Sequence, residues 1–272
     1  MSWLKDIIGT EKAIIAMCHL QALPGDAGYD AKRGMKHVVD AAKHDLLALQ
    51  DGGVDAVMFS NEFSLPYLTD VRKETLAAMG RVIGELKGFI RIPFGVNVLW
   101  DGKASLDLAI ATDALFVREI FSGVYGSDFG LWNTNFGETV RHQKAIDAQH
   151  VKLLFNIYPE ASAYLGERSI EDIAKTTVFN CKPDALCVSG LTAGAATDST
   201  ILKKAKNAVK ETVVFANTGS RHETIESILS IADGAVVGTC FKRDGKFENE
   251  VDQNRVQSFM QIVKQYRLKN GY

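Results

Sequence analysis

Six side chains that could move a proton or hold an anion stand at, or just after, the ends of strand-like segments. They are His19, Glu62, Asn97, Arg118, Glu119 and Asn156. A carboxylate suits a general base, an imidazole exchanges protons near neutral pH, and an arginine clamps a substrate anion, while asparagine amides orient hydroxyl groups. Each one alone is equally compatible with a capping or pairing role. Buried together they would be costly without a task, so the set indicates a catalytic centre for proton transfer.

Arg118 and Glu119 are neighbours in one strand-like segment, so their side chains point to opposite faces. Only one of them can face a catalytic centre. In one arrangement Glu119 acts there as the base, across from His19. In the other, Arg118 binds a substrate anion and Glu119 pairs with a helix. The sequence leaves both arrangements open.

A second group of residues predicts a phosphate site. Three strand-like segments in the last third of the chain lead into loops of Gly, Ser and Thr, where backbone N–H groups approach an anion closely. Ser220 and Glu223 resemble a capping box, which predicts a helix N-terminus beside these loops. The candidate phosphate ligands are Ser189, Gly190, Gly219, Ser220, Gly238 and Thr239. Turn formation would explain any one loop, but three adjacent ones favour phosphate.

The sequence motifs also indicate which cofactors to expect. No G-x-x-x-x-G-K-[ST] motif occurs, so a P-loop nucleotide is not expected. Lys242 is the only lysine at the C-terminal end of a predicted strand, so a Schiff-base lysine is not expected either. His19, Glu62 and Glu119 could share a divalent metal, although no H-E-x-x-H or H-x-H motif supports it. The cofactor stays unknown, with a divalent metal as one option.

Strand-like and helix-like segments alternate along the chain and must bring these residues together. The predicted strands are short apolar runs, separated by segments with apolar residues at helical spacing. The strands are Ala13–Leu20, Ala56–Asn61, Pro93–Trp100, Leu115–Ile120, Val151–Ile157, Ala185–Ser189, Thr212–Asn217 and Gly234–Thr239. Eight β–α units predict an α/β fold, a single (β/α)8 TIM barrel over residues 1–272, rather than an open doubly wound sheet. Chemistry in such barrels lies at the C-terminal strand ends.

Residues 121–137 (FSGVYGSDFGLWNTNFG) interrupt this alternation. They are rich in Gly, Asn and aromatic residues, which predicts an irregular loop inserted after the fourth strand. Tyr125, Phe129, Trp132 and Phe136 are too many aromatic residues for a solvated loop. We expect them to fold over the barrel mouth as a lid or to pack against a neighbouring subunit, and we expect a homo-oligomer.

Charge and composition narrow the range of partners. Lys and Arg number 31 against 33 Asp and Glu, a formal charge of −2, so there is no basic excess for nucleic acid or an anionic membrane. The apolar runs are far too short to span a membrane, and the N-terminus lacks a signal pattern. The four cysteines lack metal-binding spacing and indicate reduced thiols. We therefore expect a cytoplasmic protein that binds a small phosphorylated molecule.

Several segments resemble the BtpA family over nearly the whole chain. They are residues 16–25 (AMCHLQALPG), 51–56 (DGGVDA), 94–99 (FGVNVL), 189–194 (SGLTAG), 232–234 (ADG) and 242–245 (KRDG). The resemblance is strongest to the enterobacterial SgcQ-like branch. It implies a TIM barrel related to ribulose-phosphate-binding barrels. One branch of the family is associated with photosystem I biogenesis, and the SgcQ-like branch sits among sugar-uptake and sugar-phosphate proteins, so the resemblance leaves the reaction open.

Two functions of different classes follow. The first is an enzyme of the isomerase, epimerase or lyase type that acts beside a carbonyl of a small phosphorylated metabolite. Glu119 or Glu62 would remove a proton, His19 would donate or receive one, and Asn97 and Asn156 would orient hydroxyls. The second is a non-catalytic assembly or stability factor of the BtpA type. The crowded barrel mouth favours the enzyme, because a scaffold gains nothing from burying these groups.

Overall fold

The computed structural model describes residues 3–190 and 198–272, and its main feature is a closed parallel barrel. The strands are, in chain order, β1 (Ala13–His19), β2 (Ala56–Ser60), β3 (Phe94–Asn97), β4 (Phe116–Glu119), β5 (Val124–Ser127), β6 (Gly130–Asn133), β7 (Lys152–Tyr158), β8 (Ser162–Tyr164), β9 (Ala185–Val188), β10 (Val213–Ala216) and β11 (Gly234–Val237). Eight of them form the ring in the order β1-β2-β3-β4-β7-β9-β10-β11, and β1 pairs with β11 to close it. The predicted (β/α)8 TIM barrel is confirmed.

Helices separate the barrel strands as the apolar spacing predicts. They are α1 (Gly34–Gly52), α2 (Lys73–Leu86), α3 (Gly102–Thr112), α4 (Phe136–Ala145), α5 (Ile170–Cys181), α6 (Ser199–Ala208), α7 (Ile225–Leu229) and α8 (Gln253–Asn270). The capping box predicted at Ser220 and Glu223 is wrong. α7 begins only at Ile225, because a turn that is held by the Arg221 N–H on the Thr224 hydroxyl precedes it. α7 therefore does not begin at the predicted phosphate loop that contains Gly219 and Ser220.

The barrel interior is apolar at one end and polar at the other. Ile15, Met58, Phe116 and Phe215 fill its lower part, and the short N-terminal helix Leu4–Ile8 closes the bottom. A second apolar layer packs the helices onto the outside of the strands. Because the lower end is filled, ligands can enter only at the C-terminal strand ends, where the polar residues lie.

Residues 121–137 contain two β-strands where an irregular loop was predicted. β5 and β6 form a hairpin, and β8 adds to β5 as the third strand of a small antiparallel sheet. The prediction of an irregular loop is wrong because Tyr125 and Trp132 pair across the hairpin and are buried. Phe129, at the hairpin tip, contacts Trp132 and Tyr67, so the hairpin leans against one side of the barrel mouth.

No helix within the described residues is long and apolar enough to cross a lipid bilayer.

Candidate active site

Alternation along the strands decides which polar side chains enter the barrel. Phe116 belongs to the apolar cluster inside the barrel, and Val117 to the layer between strands and helices. Since side chains two residues apart share a face, Arg118 points inward above Phe116 and Glu119 points outward. The same rule places His19 inside, above Ile15 and Met17 of β1.

A cavity of about 820 Å³ opens at the C-terminal strand ends, with Met17 and Val236 at its floor. Seven of the twelve predicted site residues line it, and they come from both predicted groups. They are His19, Glu62, Arg118, Gly219, Ser220, Gly238 and Thr239. Asn97, Glu119, Asn156, Ser189 and Gly190 are not part of its lining.

Arg118 is held in place by neutral groups. Its Nε and one Nη donate to Asn97 Oδ1 at 3.1 and 2.6 Å, and the other Nη donates to Asn217 Oδ1 at 2.9 Å. Within the described part of the chain, no carboxylate lies within ion-pair distance of this guanidinium. The site therefore presents a buried, fixed positive charge to the cavity. Asn97 accordingly positions Arg118 instead of touching a ligand.

Two partly buried carboxyl groups share the cavity with Arg118. Burial raises the pKa of Glu62, against the opposing charge of Arg118 and a 2.9 Å hydrogen bond from the Ser60 hydroxyl. Burial also raises the pKa of Glu160. The positive charge of Arg118 opposes this upward shift, and the negative charge of Glu62 adds to it. Glu160 Oε2 is buried with no hydrogen-bond partner among the described residues. A carboxyl group with a raised pKa can give and take a proton near neutral pH.

Glu160 was missed by the sequence analysis. It stands two residues beyond β7, after Pro159, whereas the analysis stopped at the strand end and selected Asn156. The loops that follow barrel strands build the active sites of such barrels together with the strand ends, so its place in the fifth such loop was an available signal.

His19 is a neutral, partly unsatisfied group in the same cavity. Burial, together with the charges of Lys242 and Arg118, holds its pKa well below the usual value. Its Nδ1 is buried without a hydrogen-bond partner in the described part of the chain. The rings of Phe63 and Phe247 lie 6.5 and 5.4 Å from the imidazole. His19 can therefore accept or donate a hydrogen bond to a ligand as a neutral imidazole.

The prediction of Glu119 as the general base is wrong. Its Oε1 accepts hydrogen bonds from Asn97 Nδ2 at 2.5 Å and from the Ser105 hydroxyl at 3.5 Å, and its Oε2 accepts one from the Ile120 N–H at 3.2 Å. Ser105 belongs to α3, so the carboxyl group lies between strand and helix, behind the barrel wall. Glu119 orients Asn97, which in turn holds Arg118.

We expect Glu119→Gln to lower the melting temperature and to weaken ligand binding far less, because Asn97 Oδ1 still accepts from Arg118. All three partners donate to the carboxyl oxygens, so an amide NH2 group would face a donor and leave buried groups unsatisfied, at about 1–3 kcal/mol. Thermal unfolding and ligand titration of the variant check this expectation. Loss of ligand binding at an unchanged melting temperature would contradict it.

The predicted phosphate loops divide into two parts. Gly219, with φ +68°, and Ser220 line the cavity, and the Ser220 hydroxyl is buried without a partner in the described residues. Their N–H groups have no hydrogen-bond acceptor within the described part of the chain. Arg221 and Arg255 line the same end of the cavity and add positive charge. This end combines free donors with cations, as an anion site requires.

The remaining predicted residues are engaged elsewhere. The Gly190 N–H donates to the Thr218 hydroxyl, which overturns its prediction as a phosphate donor. The Ser189 hydroxyl accepts a hydrogen bond from Asn217 Nδ2 at 2.8 Å and lies 3.3 Å from Asn156 Oδ1. Ser189 and Asn156 thus belong to the network that fixes Asn217 and, through it, Arg118. Residues 191–194 of the SGLTAG segment lie outside the described residues.

The residues considered for a metal site and for a Schiff base are not arranged for those roles. No set of three or more His, Cys, Asp or Glu side chains within the described residues is arranged to hold a metal ion. The three suggested ligands do not converge, because Glu119 lies behind the wall that His19 and Glu62 face. Lys242 Nζ forms a buried ion pair with Asp45 Oδ2 at 2.8 Å and does not line the cavity.

The fold and the cavity together define a (β/α)8 barrel protein with a polar cavity at the C-terminal strand ends. Comparison with known proteins gives its family: the BtpA family model matches residues 10–265, and the chain belongs to this family. The sgc region protein SgcQ of Escherichia coli K12 is 66% identical over 267 residues, which cover 98% of this chain and all of SgcQ. The photosystem I biogenesis protein BtpA of Synechocystis is 27% identical, over 93% of this chain and 88% of BtpA.

Solved structures with the same fold are more distant in sequence. Tryptophan synthase from Mycobacterium tuberculosis has a TM-score of 0.59 at 12% identity, over 98% of this chain and 99% of the other. Phosphoribosyl anthranilate isomerase from Thermus thermophilus has a TM-score of 0.57 at 10% identity, over 94% of this chain and 100% of the other. At these identities the likeness concerns the barrel fold alone.

Proposed function

We propose that this chain is an enzyme that binds a small phosphorylated metabolite at the barrel mouth and moves a proton on a carbon beside a carbonyl. Isomerases, epimerases and lyases of sugar phosphates use such chemistry. The observation that carries the proposal is the combination of Glu62, Glu160 and Arg118 in one cavity. Two carboxyl groups with raised pKa values share that cavity with a buried arginine that has no ion-pair partner among the described residues.

The proposed chemistry assigns one role to each group. One carboxylate removes a proton from the carbon next to the carbonyl, and the other carboxyl group returns a proton to the neighbouring atom. Removal of the proton places negative charge on the carbonyl oxygen, and the Arg118 guanidinium stabilises that charge in a site of low dielectric constant. Neutral His19 donates a hydrogen bond to a substrate hydroxyl or carbonyl.

The cationic end of the cavity supports a phosphate group on the substrate. Gly219 and Ser220 offer N–H groups and a hydroxyl, and Arg255 offers a guanidinium. The loops after the last two barrel strands bind phosphate in many barrels of this kind. A phosphate anchored there would place the rest of a short sugar over Arg118.

The test measures binding and proton exchange with the same ligands. The chain is incubated in D2O with a panel of aldose and ketose phosphates and with the matching sugars that lack phosphate. We expect one phosphorylated sugar to raise the melting temperature at micromolar to millimolar concentration and to lose the NMR signal of a carbon-bound proton beside its carbonyl. Silence of the whole panel in both assays would contradict the proposal and favour a non-catalytic assembly factor, the role that the name of the Synechocystis relative suggests.

The homo-oligomer stays a prediction. Leu131 and Leu165, on the small antiparallel sheet, are 57% and 53% exposed, which is consistent with a contact between subunits at that surface.

A further inference from the structure

A cysteine and a histidine meet in the wall of the cavity, at its cationic end. Cys240 Sγ lies 3.5 Å from His222 Nδ1, and both residues line the cavity. Cys240 follows the last barrel strand, β11, whereas His222 lies in the loop after β10. The sequence analysis assigned neither residue a role, and the proposed proton transfer does not use them.

The hydrogen bonds of His222 determine which ring nitrogen faces the thiol as an acceptor. Nε2 lies 3.1 Å from the carbonyl oxygen of Arg255 and 2.9 Å from the Ser258 hydroxyl. A carbonyl oxygen can only accept, so Nε2 carries the proton in the neutral ring. Nδ1 then has a free lone pair, and the Cys240 thiol donates to it. The Phe259 ring, 5.4 Å away and nearly perpendicular, holds the imidazole in this orientation.

The surroundings favour a negative charge on sulfur during a reaction, although not at rest. Burial raises the pKa of Cys240, so the thiol is protonated in the resting protein. The charges of Arg255 and Arg221 and the backbone N–H of His222 act in the opposite direction and stabilise a thiolate, whereas the charge of Glu223 adds to the effect of burial. Arg255 Nε also donates to the Cys240 carbonyl at 3.0 Å, which fixes the segment that carries the sulfur. A thiol within hydrogen-bond distance of an imidazole nitrogen is the arrangement of a nucleophile with its general base.

We propose that Cys240 is a nucleophilic thiol, with His222 as its general base, which bonds to the electrophilic carbon of a small anion held in the cavity. The ligand class is a short anionic aldehyde, in which the carbonyl carbon lies within a few bonds of a carboxylate or phosphate. The cations at this end bind the anionic group, and the thiol lies beside it.

The reaction balances without a further reactant. The sulfur forms a bond to the carbonyl carbon, and the π electron pair of the C=O bond moves to its oxygen. The thiol proton passes to His222 Nδ1 and from there to that oxygen, which gives a hemithioacetal. No group leaves and nothing is oxidised, so the adduct is reversible.

The test uses iodoacetate and iodoacetamide as irreversible probes, with each cysteine followed by peptide mass spectrometry. In this alkylation the sulfur displaces iodide and the thiol proton passes to His222. Cys181 on α5 is the internal control, because it is partly exposed and lies outside the cavity lining. We expect iodoacetate to modify Cys240 at least about tenfold faster than Cys181, and inorganic phosphate or glyoxylate to slow the reaction at Cys240 alone.

The variant His222→Gln removes the base and keeps an N–H group near the Arg255 carbonyl. We expect it to slow alkylation of Cys240 by at least about tenfold, below the 10²–10⁴-fold typical of one positioned proton-transfer group, and to leave Cys181 unchanged. Equal rates at the two cysteines, or a Cys240 rate that His222→Gln does not alter, would overturn the proposal. Should the variant fail to fold, the natural chain decides: a Cys240 that reacts with iodoacetate no faster than Cys181, or that phosphate does not protect, overturns the proposal.

The thiol site shares the anion-binding end of the cavity with the proposed function, but its chemistry is tested separately. If no sugar phosphate loses a carbon-bound proton signal but Cys240 is reactive, only the proposed function is contradicted. If proton exchange occurs but Cys240 is inert, only the thiol site is contradicted.

Discussion

Glu160→Gln is expected to lower the rate of proton exchange on the bound phosphorylated sugar by about 10²–10⁴-fold, while binding is retained. The amide keeps the shape of the side chain but cannot take a proton. Glu160 Oε2 has no hydrogen-bond partner among the described residues and lines the cavity, so it is free to meet a substrate proton. Exchange is followed by NMR in D2O and binding by thermal shift.

Glu223→Gln is the matched control, because Glu223 lines the same cavity but is exposed at its rim. We expect this variant to exchange protons at the natural rate. The pH dependence gives a second check. Since burial raises the pKa of Glu160, the basic carboxylate form is lost as the pH falls through that raised value, so the exchange rate should fall there as well. An unchanged exchange rate in Glu160→Gln would remove Glu160 from the mechanism.

Lys242→Met is expected to lower the free energy of unfolding by about 3–5 kcal/mol, the range for breaking a buried ion pair by removing one partner. Lys242 and Asp45 are both buried, and their 2.8 Å contact connects the segment after β11 to α1. Without Lys242 the Asp45 carboxylate stays buried, with the Val251 N–H at 2.8 Å and His44 Nδ1 at 3.3 Å as its remaining polar neighbours. Chemical denaturation of the variant measures the loss.

Two further variants show whether the unpaired charge causes this loss. Asp45→Asn combined with Lys242→Met leaves no buried charge at the pair, so we expect the double variant to recover part of the lost stability. Lys36→Met is the surface control, since Lys36 and its partner Asp40 are largely exposed and such pairs contribute little. A double variant less stable than Lys242→Met alone would show that packing, rather than charge, dominates at this position.

The barrel and part of its site could be predicted because the signals are local. An apolar run such as Ala13–His19 specifies a buried strand, and eight alternating units specify the barrel. The rule that chemistry lies at the C-terminal strand ends then selected His19, Glu62 and Arg118, all of which line the cavity. Each of these inferences depends only on a residue and on its neighbours along the chain.

The hairpin was missed for a different reason. β5 and β6 are short and rich in glycine, and their third partner, β8, lies about 30 residues further along the chain. The helix start at Ser220 failed because the tertiary position of the loop favoured a turn closed by Thr224. Tertiary packing selects between local structures of similar free energy, and the sequence pattern of one segment carries no information about that packing.

The sequence alone determined the fold, the end of the barrel at which polar groups gather, and the alternation of Arg118 and Glu119. It could not determine which of the two enters the barrel. In a parallel barrel both faces of a strand are buried in apolar surroundings, so the apolar pattern of β4 is the same in either register. Tertiary structure decided this by placing Phe116 inside, and it alone brought Glu160 into the same cavity as Arg118 and Cys240 next to His222. These residues belong to separate segments of the chain, and their relative positions follow from how the strands pair around the ring.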